Sequence, residues 1–386
     1  MNITDDIAYV GVNDHDIDLF EGQYDVSAHG MSYNSYVIFD EKIAVTDTVD
    51  IRFRDEWLGN IKRTLGARKP DYLIVHHMEP DHSANIQVFM DEFPEAQIVA
   101  SFAAFKMMQG YFGTDFADRK IVVKDGSELD LGTRTLTFIS APLVHWPEVM
   151  FSFDSKSRTL FSADAFGKFG ANDYEDPDGW APEARRYYFG IVGKFGTNVQ
   201  AVIKKLDGFD IQRICSLHGP VLDENLGYYL NLYQTWSSYE PEAEGVCIAY
   251  TSVYGHTKAA VEELAQALRD RGAVVTVHDL ARDDMSYAME CAYRYDKLVL
   301  ATTTYCGGIF PFMETFLNTL VHHNYQKRTV GLIENGSWMP QAAKGMTAFL
   351  EQLKDLTIVE PVVSIKGSMD DANHQQIQAL ADALMA

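Results

Sequence analysis

Up to about residue 240 the chain alternates short apolar runs of β character with turns: SYVIF (35–39), KIAVTDT (42–48), DYLIVHH (71–77), AQIVAS (96–101), KIVVKDG (120–126), RTLTFISAP (134–142) and VMFSFDSKSRTLFSAD (149–164). Helical stretches near 197–206 and near 224–236 interrupt them, which predicts α and β elements stacked in layers. From residue 245 the texture changes. GVCIAY (245–250) is a continuous apolar run, followed by a glycine-containing loop and the amphipathic KAAVEELAQALRDRG (258–272). The cycle repeats through AVVTVHDL (273–280), KLVLATTT (297–304), TVGLIENGS (329–337) and VEPVVSI (359–365), each separated by a predicted helix. Strands that are apolar at nearly every position suit a parallel sheet covered on both faces. Five of them predict a doubly wound α/β domain. The pattern switches within SSYEPEAEG (237–245), so the expected domains are 1–243 and 244–386.

A chain of 386 residues is long enough for two or three such domains. Its 55 acidic and 32 basic residues give a formal net charge of -23, which repels nucleic-acid phosphates and anionic lipid surfaces. No stretch approaches the roughly 18 apolar residues of a membrane span, and the first residues lack a basic segment followed by an apolar run. Neither nucleic acid nor membrane is an expected partner, and a cytoplasmic location is expected. Cys215, Cys247, Cys291 and Cys306 lie far apart in sequence without a CxxC pair, so neither a disulfide framework nor a thiolate metal site is expected.

Chemistry concentrates after the apolar run at 71–75. His77, Glu79, Asp81 and His82 follow it within one tight turn, offering two imidazoles and two carboxylates where a strand gives way to a loop. Three further candidates stand after separate strands: His145 in SAPLVHWPEVM, Asp164 in TLFSADAFG and His218 in ICSLHGP. Four imidazoles and three carboxylates suffice for two metal ions, with Asp164 as a natural bridge. Mixed nitrogen and oxygen donors suit iron, manganese or zinc. His76 precedes His77 on the strand, points to the opposite face and reads as structural.

The order H-x-E-x-D-H, then His, Asp and His, resembles the metallo-β-lactamase superfamily with its second histidine replaced by Glu79, a harder ligand that favours iron. Together with the doubly wound C-terminal half, this resembles the flavodiiron proteins across essentially the whole chain. The resemblance implies an N-terminal metallo-β-lactamase-like αββα sandwich followed by a flavodoxin-like domain. It also implies a diiron centre of two Fe: His77, Glu79 and His145 on one iron, Asp81, His82 and His218 on the other, and Asp164 between them. HGMSYNSYVI (29–38), HWPEVMFSF (145–153) and ARRYY (184–188) look like family segments around that site, with His29 and either Tyr187 or Tyr188 as supporting hydrogen-bonding groups.

The loop Thr251, Ser252, Val253, Tyr254, Gly255, His256 and Thr257 follows a strand and opens a helix. Its hydroxyls and N–H groups can cradle a phosphate at the helix N-terminus. Thr304, Tyr305, Cys306, Gly307 and Gly308, with Ser337 and Trp338, form two further loops at strand ends. Tyr305 and Trp338 offer aromatic faces for an isoalloxazine, and the glycines permit close backbone approach. FMN is expected, because no G-x-G-x-x-G dinucleotide fingerprint appears; Cys306 is read as filling space.

The resemblance implies an oxidoreductase that reduces O2 to water or NO to N2O. Its electrons come through FMN from a separate donor, rubredoxin or reduced coenzyme F420. It further implies a head-to-tail homodimer, or a tetramer built from it. The competing reading is a zinc-dependent hydrolase with an accessory flavodoxin domain, against which Glu79 argues.

Overall fold

The computed structural model describes residues 2–386 and divides into two compact units, residues 2–188 with 197–234 and residues 189–196 with 235–386. In the first unit six strands form one sheet in the order Ile7–Tyr9, Tyr36–Ile38, Ala44–Thr46, Tyr72–Ile74, Gln97–Ser101, Lys120–Val123. A second sheet runs Glu128–Asp130, Thr135–Ser140, Met150–Asp154, Thr159–Phe161, Arg213–Cys215. Their facing sides share one core: Ile38, Ala44, Ile74 and Val99 from the first sheet meet Leu136, Phe138, Met150, Phe161 and Cys215 from the second. Alternation along each strand sends the remaining residues outward, where the helices Arg54–Leu65, Ile86–Glu92 and Phe102–Phe112 bury Trp57, Ile61, Phe89, Met90, Phe105 and Met108.

Each expected apolar run before residue 165 contains a strand, and the two helical stretches are the helices Gly196–Leu206 and Leu226–Ser237. The sequence pattern did not reveal Ile7–Tyr9, Val12–Asp14 or the ribbon Leu19–Phe20 with Tyr24–Asp25. These strands are two or three residues long, too short to display a period.

The second unit is a parallel sheet in the order Val275–Asp279, Ala243–Tyr250, Tyr295–Tyr305, Thr329–Asn335, as a doubly wound fold requires. The fifth strand is split into Thr357–Ile358 and Val363–Ile365, both paired to Thr329–Asn335. Residues 246–250 are all buried, which explains their unbroken apolar character. On one face Val246, Ile248, Val299 and Ile333 pack with Val261, Leu264 and Leu268 of the helix His256–Asp270 and with Ile377, Leu380 and Leu384 of the helix Asp371–Met385. No helix among the described residues is long and apolar enough to cross a membrane.

Candidate metal centre and flavin cleft

The strand Tyr72–Ile74 ends three residues before His77, and the turn that follows is fixed by a short helix, Pro80–Ser83, begun by a proline at its first position. That turn carries Glu79, Asp81 and His82. His145 stands on the loop after Thr135–Ser140, Asp164 after Thr159–Phe161, and His218 after Arg213–Cys215. All seven side chains converge into two adjoining groups: His77, Glu79, His145 and Asp164, then Asp81, His82 and His218.

In the first group His77 Nε2 and His145 Nε2 lie 3.2 and 3.1 Å from Glu79 Oε2. The same two nitrogens lie 3.3 and 3.0 Å from Asp164 Oδ2. In the second, His82 Nε2 and His218 Nε2 stand 2.9 Å apart, at 3.1 and 3.3 Å from Asp81 Oδ2. The other oxygen of Asp164, Oδ1, is 3.4 Å from His82 Nε2 and 3.8 Å from His218 Nε2. Asp164 therefore presents one oxygen to each group.

The outer nitrogens are held from behind. His77 Nδ1 is 2.8 Å from Glu148 Oε1, which also accepts from the Met78 N–H at 2.9 Å. His218 Nδ1 donates to the Ser32 carbonyl at 2.7 Å. A proton held at Nδ1 leaves the Nε2 lone pair facing inward, the arrangement that orients a metal-binding imidazole. His76 makes no part of either group: its Nδ1 meets Asp47 at 2.6 Å and its Nε2 meets Ser152 Oγ at 2.8 Å.

Rings wall the site: Tyr33 at 5.8 Å from His218 and 6.4 Å from His82, Phe20 at 5.3 Å from His218, Trp146 at 5.1 Å from His77. Tyr187 lies 5.6 Å from His218, whereas Tyr188 packs on Tyr233 at 5.1 Å. His29 packs edge-on against Tyr174 at 4.8 Å. The side chains of Glu79 and Asp81 are 18% and 13% exposed and that of His145 is 10% exposed, while those of His77, His82, Asp164 and His218 are at most 1% exposed. Access is thus from the Glu79 side.

Burial opposes charging of the imidazoles, but neighbouring carboxylates override it. Asp81 beside His82 pushes it up to about 10, and Asp164 with Glu79 pushes His145 up to about 9. Burial likewise opposes ionisation of Asp164, yet His77, His145 and His82 hold its carboxyl well below the usual carboxylate range. Oδ1 of Asp81 and Nδ1 of His82 are buried without a hydrogen-bond partner, and Oδ1 of Asp164 has only the two histidine nitrogens at 3.4 and 3.8 Å. Buried carboxylate oxygens gathered without hydrogen-bond donors of their own are costly, and they are the donors a metal pair requires. The set fits two metal ions.

In the second unit, Gly255 takes φ +94° directly before the helix His256–Asp270, a conformation suited to glycine. Ser252 Oγ accepts from the Gly255 and Lys258 N–H groups at 3.1 and 3.2 Å. Thr257 Oγ1 is buried there without a partner, so the helix start fits a phosphate oxygen. Thr251 is buried with its hydroxyl on Thr302 at 2.6 Å, and His256 Nδ1 meets Ser368 at 3.3 Å.

Beside this turn opens a cleft of about 450 Å³, lined by Val253, Tyr254, Thr304, Tyr305, Cys306, Gly307, Ser337 and Trp338. Thr303, Asn335, Gly336 and Met339 complete the lining; the sequence reading did not single them out, although all stand at the carboxyl ends of strands. Tyr254 and Trp338 are 90% and 89% exposed, aromatic faces with nothing of their own unit covering them. Gly308 pairs with Tyr305 in a short ribbon beneath, and Thr304 Oγ1 caps the start of the helix Ala342–Leu350 by accepting from Gln341 and Ala342 N–H. Thr304 therefore shapes the cleft with its hydroxyl already engaged.

Known families match both units: the ODP family beta lactamase over residues 31–219 and a flavodoxin domain over 247–366. A nitric oxide reductase of Moorella thermoacetica is 30% identical over 371 residues, covering 93% of this chain and 91% of that relative. A putative diflavin flavoprotein A 1 of Thermosynechococcus vestitus is 29% identical over 373 residues, 95% of this chain. The chain spans only 61% to 64% of the length of the first diflavin flavoproteins it matches. Among solved structures, the rubredoxin oxygen:oxidoreductase of Desulfovibrio gigas superposes with a TM-score of 0.92 at 25% identity, covering 100% of this chain and 97% of that one. The flavodiiron protein of Giardia intestinalis shares the fold, with a TM-score of 0.91 at 24% identity over 99% of this chain and 95% of that one.

Proposed function

Because this chain belongs to the flavodiiron protein family, whose members carry FMN and a diiron centre, we propose that it reduces O2 to water or NO to N2O. FMN, when bound, would supply the electrons, taken from a separate donor, rubredoxin or reduced coenzyme F420. The observation that carries this reading is Asp164, with one oxygen turned to each histidine–carboxylate group. His77, Glu79 and His145 would hold one iron, Asp81, His82 and His218 the other, and Asp164 would join them. The metal pair supplies binding and reduction of the diatomic substrate, and the flavin supplies its electrons one or two at a time.

The chain's own residues do the positioning. Glu148 and the Ser32 carbonyl fix two imidazoles with their inner nitrogens turned to the carboxylates of the cluster. Phe20, Tyr33, Trp146 and Tyr187 exclude bulk water. Glu79, Asp81 and His145 are the ligand side chains that stay partly exposed, so a diatomic substrate would approach from their side.

The domains in this reading are a diiron domain over 1–243 and an FMN domain over 244–386, in a cytoplasmic protein that works as a head-to-tail homodimer. The test is metal analysis joined to gas consumption. Protein purified without oxygen from iron-replete cells is expected to hold two irons and one FMN per chain and to consume O2 or NO when its flavin is reduced. Two zincs, no iron and no gas consumption would discard the oxidoreductase reading.

A further inference from the structure

The four cysteines, far apart in sequence, do not stay apart in the fold. The parallel strands Ala243–Tyr250 and Val275–Asp279 pair Cys247 with Thr276 and Ala249 with His278. Alternation therefore places Cys247, Thr276 and His278 on one face of the sheet. The opposite face, with Val246, Ile248 and Tyr250, is packed by the helices His256–Asp270 and Asp371–Met385. The helix Met285–Arg294 packs on the same two strands and carries Cys291. As a result the sulfurs of Cys247 and Cys291 and one ring nitrogen of His278 all lie within 4.8 Å of one another.

Two features separate this cluster from ordinary apolar packing. His278 Nε2 is buried without a hydrogen-bond partner, while Asp283 Oδ2 stands 3.4 Å from Nδ1 on the other side of the ring. A carboxylate behind one ring nitrogen leaves the other free to bind a metal. Both sulfurs also stand within 4.8 Å of one His278 ring nitrogen, and a thiol that meets a metal ion releases its proton to bind as thiolate. Cys247 and Cys291 are 0% and 2% exposed, and the strand of His278 is the outermost of the sheet, with the Asp283 side chain 42% exposed beside it.

We propose that Cys247, His278 and Cys291 form a second metal site, separate from the histidine and carboxylate cluster, for a thiophilic divalent cation, zinc. Two thiolates and one imidazole are a zinc donor set, with the fourth position left to water. The ion would tie the edge strand Val275–Asp279 and the helix Met285–Arg294 to the centre of the sheet.

The test uses the full chain with its FMN, reduced by a phosphine and loaded with Zn(II), read by X-ray absorption at the zinc edge. The histidine and carboxylate cluster also takes zinc but offers no sulfur, so the diagnostic signal is a Zn–S shell at about 2.3 Å. That shell is expected in the parent and in Asp164→Ala. It is expected to vanish in Cys247→Ser with Cys291→Ser, checked for retained FMN and unchanged circular dichroism. Should the double serine variant not fold, His278→Gln, at the sheet edge, is expected to weaken the sulfur-bound zinc at least tenfold in a chelator competition. A parent spectrum accounted for by nitrogen and oxygen alone, a Zn–S shell that survives the double substitution, or an unchanged affinity in His278→Gln overturns the site.

Discussion

Glu148 stands behind His77 and decides where its ring points: one of its oxygens takes both the His77 ring and the Met78 N–H. Removing such a partner usually weakens a metal by about 10- to 100-fold. Glu148→Ala is therefore expected to lose the ion of the His77, Glu79 and His145 group first, in a chelator titration followed by metal analysis. Asp164→Ala acts on both groups, since each loses one oxygen. The iron content is expected to fall from two per chain to one or none by elemental analysis, and unchanged content would mean that Asp164 joins nothing. The sequence contained the seven ligand candidates because each is a polar residue at the end of an apolar run. It did not mark Glu148, whose neighbours Pro147 and Val149 look like any loop.

At the scale of elements, Arg134 fastens the second sheet. It is buried at the start of the strand Thr135–Ser140, with Nη1 2.9 Å from the buried Asp154, Nη2 2.7 Å from Asp6 and Nε 3.4 Å from Asp40. Arg134→Met leaves Asp154 charged and buried, and breaking a buried pair in this way costs about 3–5 kcal/mol. A urea unfolding curve of the variant is expected to show that loss. The same cluster gives a pH dependence. Hydrogen bonding to Lys156 holds the Asp6 carboxyl below its ordinary range; at Asp40 burial opposes this, but the Thr133 and Glu41 N–H groups and Arg134 prevail. Folded values below the unfolded ones give stability that is present above about pH 4 and is lost as the pH falls below it. The unfolding midpoint is expected to drop between pH 5 and about pH 3, and less so in Arg134→Met. In the flavin cleft, a Cβ at Gly336 would stand 2.8 Å from Pro340 Cα and 3.0 Å from Thr304 Oγ1. Gly336→Ala therefore forces the segment lining the cleft to shift, and overpacking of this kind costs about 1–3 kcal/mol. A matching loss of FMN affinity is expected in a fluorescence titration.

For the molecule as a whole, the doubly wound unit carries its own two-faced core, so a fragment of residues 235–386 is expected to fold and bind FMN. It is expected to melt below the intact chain, because residues 189–196 belong to the same unit: Phe189 stacks on Tyr293 with ring centroids 4.0 Å apart, and Lys194 accepts from Asn324. If electrons pass from the flavin of one chain to the irons of another, His82→Ala with His145→Ala should be rescued by co-expression with a chain unable to bind FMN. The recovered gas consumption should follow the fraction of mixed dimers. Verified mixed dimers without recovered activity would remove the head-to-tail arrangement.

The sequence by itself determined the α/β layers, the doubly wound C-terminal half and the places where chemistry collects. Apolar periods and strand-end polar residues are local properties, and each is written within a dozen residues. What only the tertiary structure decided depends on which strands become neighbours. Asp164 is 82 positions from His82, as 164 less 82, yet one of its oxygens lies 3.4 Å from it because two separate sheets end side by side. Residues 189–196 precede the expected boundary at 243 and nonetheless pack with the unit beyond it, because stacking on Tyr293 pairs surfaces that no period announces. Cys247 and Cys291 read as unrelated thiols until strand pairing and helix packing place them around His278. A chain fixes its local pattern residue by residue, whereas long-range pairing is chosen by the whole core at once, so sites assembled across strands appear only in the fold.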